Sequence, residues 1–192
     1  VPVAVSPATR IAIVAPASFV AGTSPNAVAT AQDAWGNTDT SFAQTVTVSG
    51  VDGQIPALTF AAGTKTFALT LTSARAYTVS LDAGAAHGQH ALTVTPAAAI
   101  LLHFTGSSPE DPVQHQGATL TFNVQDVYGN IATNFAGDVA VGSSDLGATY
   151  PATVTLTAAD LGVGSFDITF DQTGSVRVSI FGVGLTGDSL NL

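Results

Sequence analysis

Cysteine and methionine are absent from the 192 residues, and lysine and arginine together number four. Without cysteine there is no disulfide framework and no thiolate metal site. No apolar run approaches the ~18–20 residues that a membrane helix needs, so membrane insertion of this segment is not expected. So few cations cannot neutralise a row of phosphates, which excludes nucleic acid as a partner and argues against binding to anionic lipid surfaces. Gly and Pro, at 19 and 9 residues, stay near average, so neither a collagen-like nor a low-complexity chain fits. The start at Val1 and the absence of Met read as a mature or excised segment, with any signal peptide outside it.

What is present is enough apolar material, 46% of residues, for a packed core. The charge is unevenly spread. Through Thr95 the net formal charge is −1; from Pro96 onward Arg177 stands alone against Glu110 and eight Asp, for −8.

An internal repeat organises the chain. Gln32-Asp33-Ala34-Trp35-Gly36-Asn37 returns as Gln125-Asp126-Val127-Tyr128-Gly129-Asn130, 93 residues later. Phe42/Phe135, Val46/Val139 and Val48/Val141 keep that offset. Phe67 to Leu71 answers Phe166 to Phe170 at an offset of 99, as Tyr77, Val79 and Leu81 answer Val176, Val178 and Ile180. The added residues are expected in a lengthened loop at Gly142–Gly147. Residues 8–95 and 96–192 are therefore expected to be two domains. Residues 1–7 copy a closing strand, since Val3-Ala4-Val5-Ser6-Pro7-Ala8 resembles Leu92-Thr93-Val94-Thr95-Pro96-Ala97. The segment reads as part of a longer array.

Within each copy the apolar period is two, as in Thr45 to Val48, Tyr77 to Leu81, Leu120 to Val124 and Val176 to Ile180. Alternation at 180° per residue, rich in Val, Ile, Thr and Phe, predicts half-buried strands. No sizeable helix is expected, although Ala158-Ala159-Asp160 could form one helical turn. About seven short strands in each ~90 residues predict an all-β chain of two immunoglobulin-like β-sandwiches arranged end to end. Leu120, Phe122 and Val124 should face one core, and their counterparts in the other are Ala27, Ala29 and Ala31. Either Trp35 folds inward to fill the space, or the buried face of that strand is shifted by one residue.

A strand, the Gln-Asp-x-aromatic-Gly-Asn turn, an aromatic residue and an x-Val-x-Val strand together resemble the bacterial immunoglobulin-like repeats of invasin and intimin type. They are also similar to filamin-type repeats of large bacterial surface proteins. The resemblance covers nearly the whole chain, twice. It implies a stalk, adhesin shaft or fibre at the cell surface or outside the cell, and in some cases ancillary domains of a secreted enzyme. Neighbouring repeats of the same chain, or like subunits, are the implied partners, with any surface ligand unidentified. A carbohydrate- or protein-binding module is the alternative. The chain departs from calcium-stapled repeats in having no dense Asp-x-Asp runs.

The candidate sites follow from side-chain chemistry. Asp33, Gly36 and Asn37, like Asp126, Gly129 and Asn130, suit a structural turn, because Asx oxygens bond backbone two residues on and Gly accepts positive φ. Asp126, Asp160 and Asp188 are calcium candidates if their loops converge, since Ca²⁺ takes six to eight oxygens; pairing of one of them with Arg75 is the alternative, and no cofactor is expected. His87 and His90 fall in a Gly/Ala-rich hairpin and are expected to be solvated, zinc requiring two further ligands. His103 takes the place of Arg10 in the repeat, and His115 belongs to no constellation. No nucleophile elbow, zincin helix or phosphate loop is present, and Glu110-Asp111 precede Pro112 in a turn, so no enzymatic activity is expected.

Overall fold

The computed structural model describes residues 5–53 and 55–192, so residues 1–4 of the expected tail lie outside the described residues. The chain is all-β with several sheets; the one helical element among the described residues is a 3₁₀ turn at Ala158–Asp160. It divides into two compact units, Val1–Thr95 and Pro96–Leu192.

In the first unit the strands are β1 (Arg10–Val14), β2 (Ser18–Val20), β3 (Asn26–Gln32), β4 (Thr45–Ser49), β5 (Leu58–Thr59), β6 (Thr64–Ala68), β7 (Ala76–Ala83) and β8 (Ala86–Thr95). They hydrogen-bond in the order β5-β4-β7-β8-β1-β3-β6, with β2 also on β8. The opening strand is split in two because Pro16 supplies no N–H and fixes φ. Before the break β1 runs antiparallel to β3; after it β2 runs parallel to β8, Ser18 facing Thr93. At its first residue β1 also touches β8, Arg10 facing His87. Glycine is required beside that contact: a Cβ on Gly88 would lie 1.8 Å from the Ile11 carbonyl oxygen.

The second unit contains β9 (Leu101–Ser108), β10 (Gly117–Gln125), β11 (Gly137–Ser143), β12 (Thr153–Leu156), β13 (Val163–Thr169), β14 (Arg177–Gly182) and β15 (Asp188–Asn191). They form a three-stranded sheet, β13-β10-β9, and a four-stranded sheet, β12-β11-β14-β15. Leu102, Leu120, Phe122, Val124 and Ile168 of the first sheet share one core with Val139, Leu156, Val178 and Ile180 of the second. Period-two alternation produces this directly, because successive side chains leave a strand on opposite faces.

Three expectations are corrected here. Trp35 does not fold inward, being 77% exposed, and the strand face is not shifted: Ala27, Ala29 and Ala31 are all at 0% exposure. Larger residues across the core compensate. Phe60 and Leu58 follow β4 where Leu156 and Val154 follow β11, and Phe60 packs edge-on against Phe42 at 5.3 Å. Gly142 and Ser143 are not loop residues but the end of β11, held by pairing with Ser179 and Val178, so the lengthened loop begins at Ser144. Finally, Arg10 faces Gln32 while Leu101, not His103, faces Gln125, so His103 does not replace Arg10.

Candidate functional site: buried aspartates at the turns

In each unit a long strand is followed directly by an aspartate whose carboxylate is buried and surrounded by donors. After β10, Asp126 is 2% exposed. Its Oδ1 accepts the N–H groups of Tyr128 at 2.8 Å and Asn130 at 2.9 Å. Its Oδ2 accepts Asn130 Nδ2 and the backbone N–H of Ala97, both at 2.8 Å. After β3, Asp33 repeats the local pattern with Trp35 N at 3.0 Å, Asn37 N at 2.9 Å and Asn37 Nδ2 at 3.1 Å. Backbone bonds close both turns, from Gly36 N to Asp33 O and from Gly129 N to Asp126 O, each at 3.1 Å. Both glycines need positive φ, +87° and +80°.

Electrostatics favour the ionised form in both turns. Burial alone pushes the Asp33 and Asp126 carboxyls up, but the bonds donated by Asn37, Trp35 and Ser6, and by Asn130, Ala97 and Tyr128, outweigh it and hold both below the usual range. The bonds from Ser6 N and Ala97 N have the same sense: each pins the segment entering a unit to that unit's first long turn.

Two further buried aspartates do the same elsewhere, and sequence reasoning missed both. Asp39 takes Ala8 N on Oδ2 at 3.0 Å, and Ser41 N and Oγ on Oδ1. Asp145 takes Gly147 N on Oδ1 at 3.0 Å, and Asp171 N and Gln172 N on Oδ2 at 2.7 and 3.1 Å. The available signals were Asp39-Thr-Ser41 and Asp145-Leu-Gly147, each an Asx-turn pattern.

The calcium candidates do not come together. Asp126 is spent as above. Asp160 accepts Thr157 N at 2.7 Å and Thr157 Oγ1 at 2.8 Å, capping the 3₁₀ turn. Asp188 Oδ2 accepts Phe104 N at 2.9 Å and lies 3.4 Å from His103 Nδ1, joining β15 to β9. Among the described residues no three metal-ligating side chains converge. Within its own unit Arg75 bonds Asp52 and lies over the Tyr77 ring at 4.4 Å. The Tyr77 hydroxyl and Arg75 both donate to Asp52 and hold its pKa down to about 2. His87 and His90 are in strand β8 rather than a loop; His90 Nε2 is buried without a partner. Three residues apart in a strand, they point to opposite faces.

Chemically, a carboxylate that accepts four N–H groups has little lone-pair capacity left for a cation or a proton in flight. These groups build structure. The largest exposed side chains nearby are at the turn tips, Trp35 and Tyr128, the latter 46% exposed.

No family model matches the sequence, nor does any curated protein. Among solved structures the chain is similar to the Escherichia coli adhesin FdeC, at 19% identity and a TM-score of 0.51, over 98% of this chain and 65% of that one. It is similar also to the Yersinia pseudotuberculosis adhesin InvE (17% identity, TM-score 0.44, 95% of this chain and 58% of that one). A β-glycosidase from Bacteroides vulgatus matches at 8% identity and a TM-score of 0.47, over 95% of this chain and 24% of that one. The chain thus spans about a quarter of the glycosidase and less than two thirds of each adhesin chain. At these identities the likeness is one of fold. No helix among the described residues is long and apolar enough to cross a membrane.

Proposed function

We propose that this chain is a structural segment of an extracellular bacterial surface stalk, adhesin shaft or fibre, made of two immunoglobulin-like sandwiches arranged end to end. Its work is spacing and bearing load rather than catalysis. The observation that carries the reading is the bond from Ala97 N to Asp126 Oδ2, which ties the entering segment to the body it leads into. Thr95-Pro96-Ala97-Ala98-Ala99 is too short and too restricted by proline to act as a free tether. The fold shared with FdeC, an adhesin, supports the same reading. Neighbouring repeats or like subunits are the partners. Small-angle scattering tests it: the expected particle is elongated, with a maximum dimension near twice that of one unit, and a compact globule overturns it.

A second reading is favoured by one observation, the aromatic side chains exposed at equivalent turn tips, Trp35 and Tyr128. Loop ends of such scaffolds are where ligands bind, so the pair could recognise a saccharide or protein. Titration calorimetry with a polysaccharide panel decides it. Saturable heat that weakens in Trp35→Ala and in Tyr128→Ala supports recognition, and no heat across the panel removes it.

A further inference from the structure

We propose that the outer face of the β14–β15 hairpin is a saccharide-binding site, built on Phe181 and Arg177, that takes a sugar bearing a carboxylate. This face belongs to a different sheet from the strand that leads into the Tyr128 turn, and the inference holds whether or not the chain is part of a shaft.

Strand β14 alternates as a half-buried strand does. Val178 and Ile180 are at 0% exposure in the core, so Arg177, Ser179 and Phe181 stand on the outer face. The first unit carries Thr78, Ser80 and Asp82 at these places, 99 residues earlier. Phe181 breaks that polar pattern and is 55% exposed.

The neighbours leave its ring open. Ala140 faces Phe181 from β11. A Cβ on Gly142 would lie 3.8 Å from Phe181 Cε2, and one on Gly187 3.1 Å from Cδ1, so both flanks of the ring are bordered by residues without side chains. In the first unit Ser49 pairs with Ser80 where Gly142 pairs with Ser179, and His87 faces Asp82 where Gly187 adjoins Phe181. The outcome in the second unit is a shallow hollow of ≈ 380 Å³ lined by Arg177, Ser179, Phe181, Gly187, Asp188 and Ser189.

The chemistry of that lining selects the ligand. An aromatic surface with a few placed polar groups is the usual make-up of a small-molecule site. Phe181 offers a ring on which the C–H face of a pyranose can stack, and Ser179 and Ser189, paired across the two strands, offer hydroxyls beside it. Arg177 is four residues from Phe181, ~13 Å along the strand, long enough for two sugar rings in succession. It is the one Lys or Arg from Pro96 onward. Its backbone is engaged with Ser144, N–H to Oγ and carbonyl to N–H, both at 2.9 Å. Among the described residues its guanidinium has no hydrogen bond or ion pair. That planar fork matches a carboxylate bidentately. The nearby acids are engaged elsewhere: Asp138 accepts Thr155 Oγ1 at 2.6 Å toward β12, and Asp188 accepts Phe104 N at 2.9 Å and Ser189 N at 2.8 Å. An unspent cation beside an open aromatic ring therefore favours a uronic acid over a neutral sugar.

The test uses the whole chain. The ¹⁵N-labelled protein is titrated with an α-1,4-linked galacturonic acid trimer and, separately, with maltotriose, a neutral α-1,4-linked trimer. The expected result is saturable shifts at the amides of Ser179, Phe181, Gly187 and Ser189 with the uronate, and about tenfold weaker binding of maltotriose. Arg177→Gln should remove that preference, and Phe181→Ala should abolish binding of both trimers; both side chains are exposed, so the rest of the spectrum should stay that of the folded protein. Trp35→Ala and Tyr128→Ala should leave the titration unchanged, which separates this face from the turn tips. Absence of shifts at those amides, or equal affinity for the two trimers, overturns the proposal. So does binding that survives Phe181→Ala. Broadening of the same amides when the protein alone is concentrated overturns it as well, because the face would then pair with a second copy.

Discussion

Replacing Asp126 by alanine should unfold the second unit selectively, and the size of the effect can be worked from its partners. Four donors lose their acceptor: Tyr128 N, Asn130 N, Asn130 Nδ2 and Ala97 N. Tyr128 and the amide of Asn130 lie at the turn tip and can turn to water. The half-buried N–H groups of Ala97 and Asn130 cannot do so cheaply, and each orphaned donor costs about 1–3 kcal/mol. The expected loss is about 3 kcal/mol, which for a unit of this size lowers its melting temperature by ~12–24 °C. Calorimetry measures the total, and hydrogen-exchange mass spectrometry assigns it. Protection should fall in peptides from β9 to β15 and persist in β3 to β7. Asp126→Asn, which keeps one oxygen, should lie between wild type and alanine. A loss under about 1 kcal/mol for Asp126→Ala, within the range of an ordinary surface substitution, would refute the idea that this carboxylate holds the entering segment.

Other outcomes follow from the same geometry. Asp33, Asp39, Asp52, Asp126, Asp145 and Asp160 all have folded pKa values below the ordinary one. Their stabilisation is therefore complete above the unfolded carboxylate pKa of ~3.9 and is lost as pH falls from there through the folded values, down to about 2 for Asp52; a urea midpoint flat from neutral pH to pH ~5 and falling below pH ~4 is expected, and a midpoint that rises on acidification would contradict it. Gly88→Ala drives a Cβ against the Ile11 carbonyl and should destabilise the first unit by about 3 kcal/mol, whereas a neutral result in chemical denaturation would mean that β1 does not approach β8 so closely. Chelator should leave the melting curve unchanged, and Arg75→Ala should change it little because the Arg75–Asp52 pair is largely exposed; a drop in melting temperature on adding EDTA would reopen the calcium reading.

Much of this fold is legible in the sequence because alternation is a long-range signal: Tyr77, Val79 and Leu81, or Val176, Val178 and Ile180, repeat over enough residues to fix both strand and face. The burial of Ala27, Ala29 and Ala31 was legible by the same rule, but the reaction of the core to their size was not. Compensation by Phe60 and Leu58 depends on strand pairing across the sheet, which local pattern does not encode. Trp35 misleads for a related reason. Its bulk suggests a core residue, yet the Asp33 turn places it at the tip, where the bonded backbone N–H leaves the ring outside. The turn aspartates stood out because two copies could be compared. Asp39 and Asp145 occur once each, Asp145 in the lengthened loop, with no second copy to set them apart. The bond from Arg75 to Asp52, 23 positions away, was not anticipated, because the excess of negative charge after Pro96 drew attention from the acids of the first unit.

The proposed shaft reading rests on the entering segment being held by the body it leads into, through Ala97 N and Asp126 Oδ2, and it expects the two units to tumble together. Residual dipolar couplings in a weakly aligned sample test it most directly. The account predicts that β3, β4 and β7 on one side, and β10, β11 and β14 on the other, report one alignment tensor of the same magnitude and rhombicity, and that Asp126→Ala separates them. Two tensors of clearly different magnitude in the wild-type chain would contradict it.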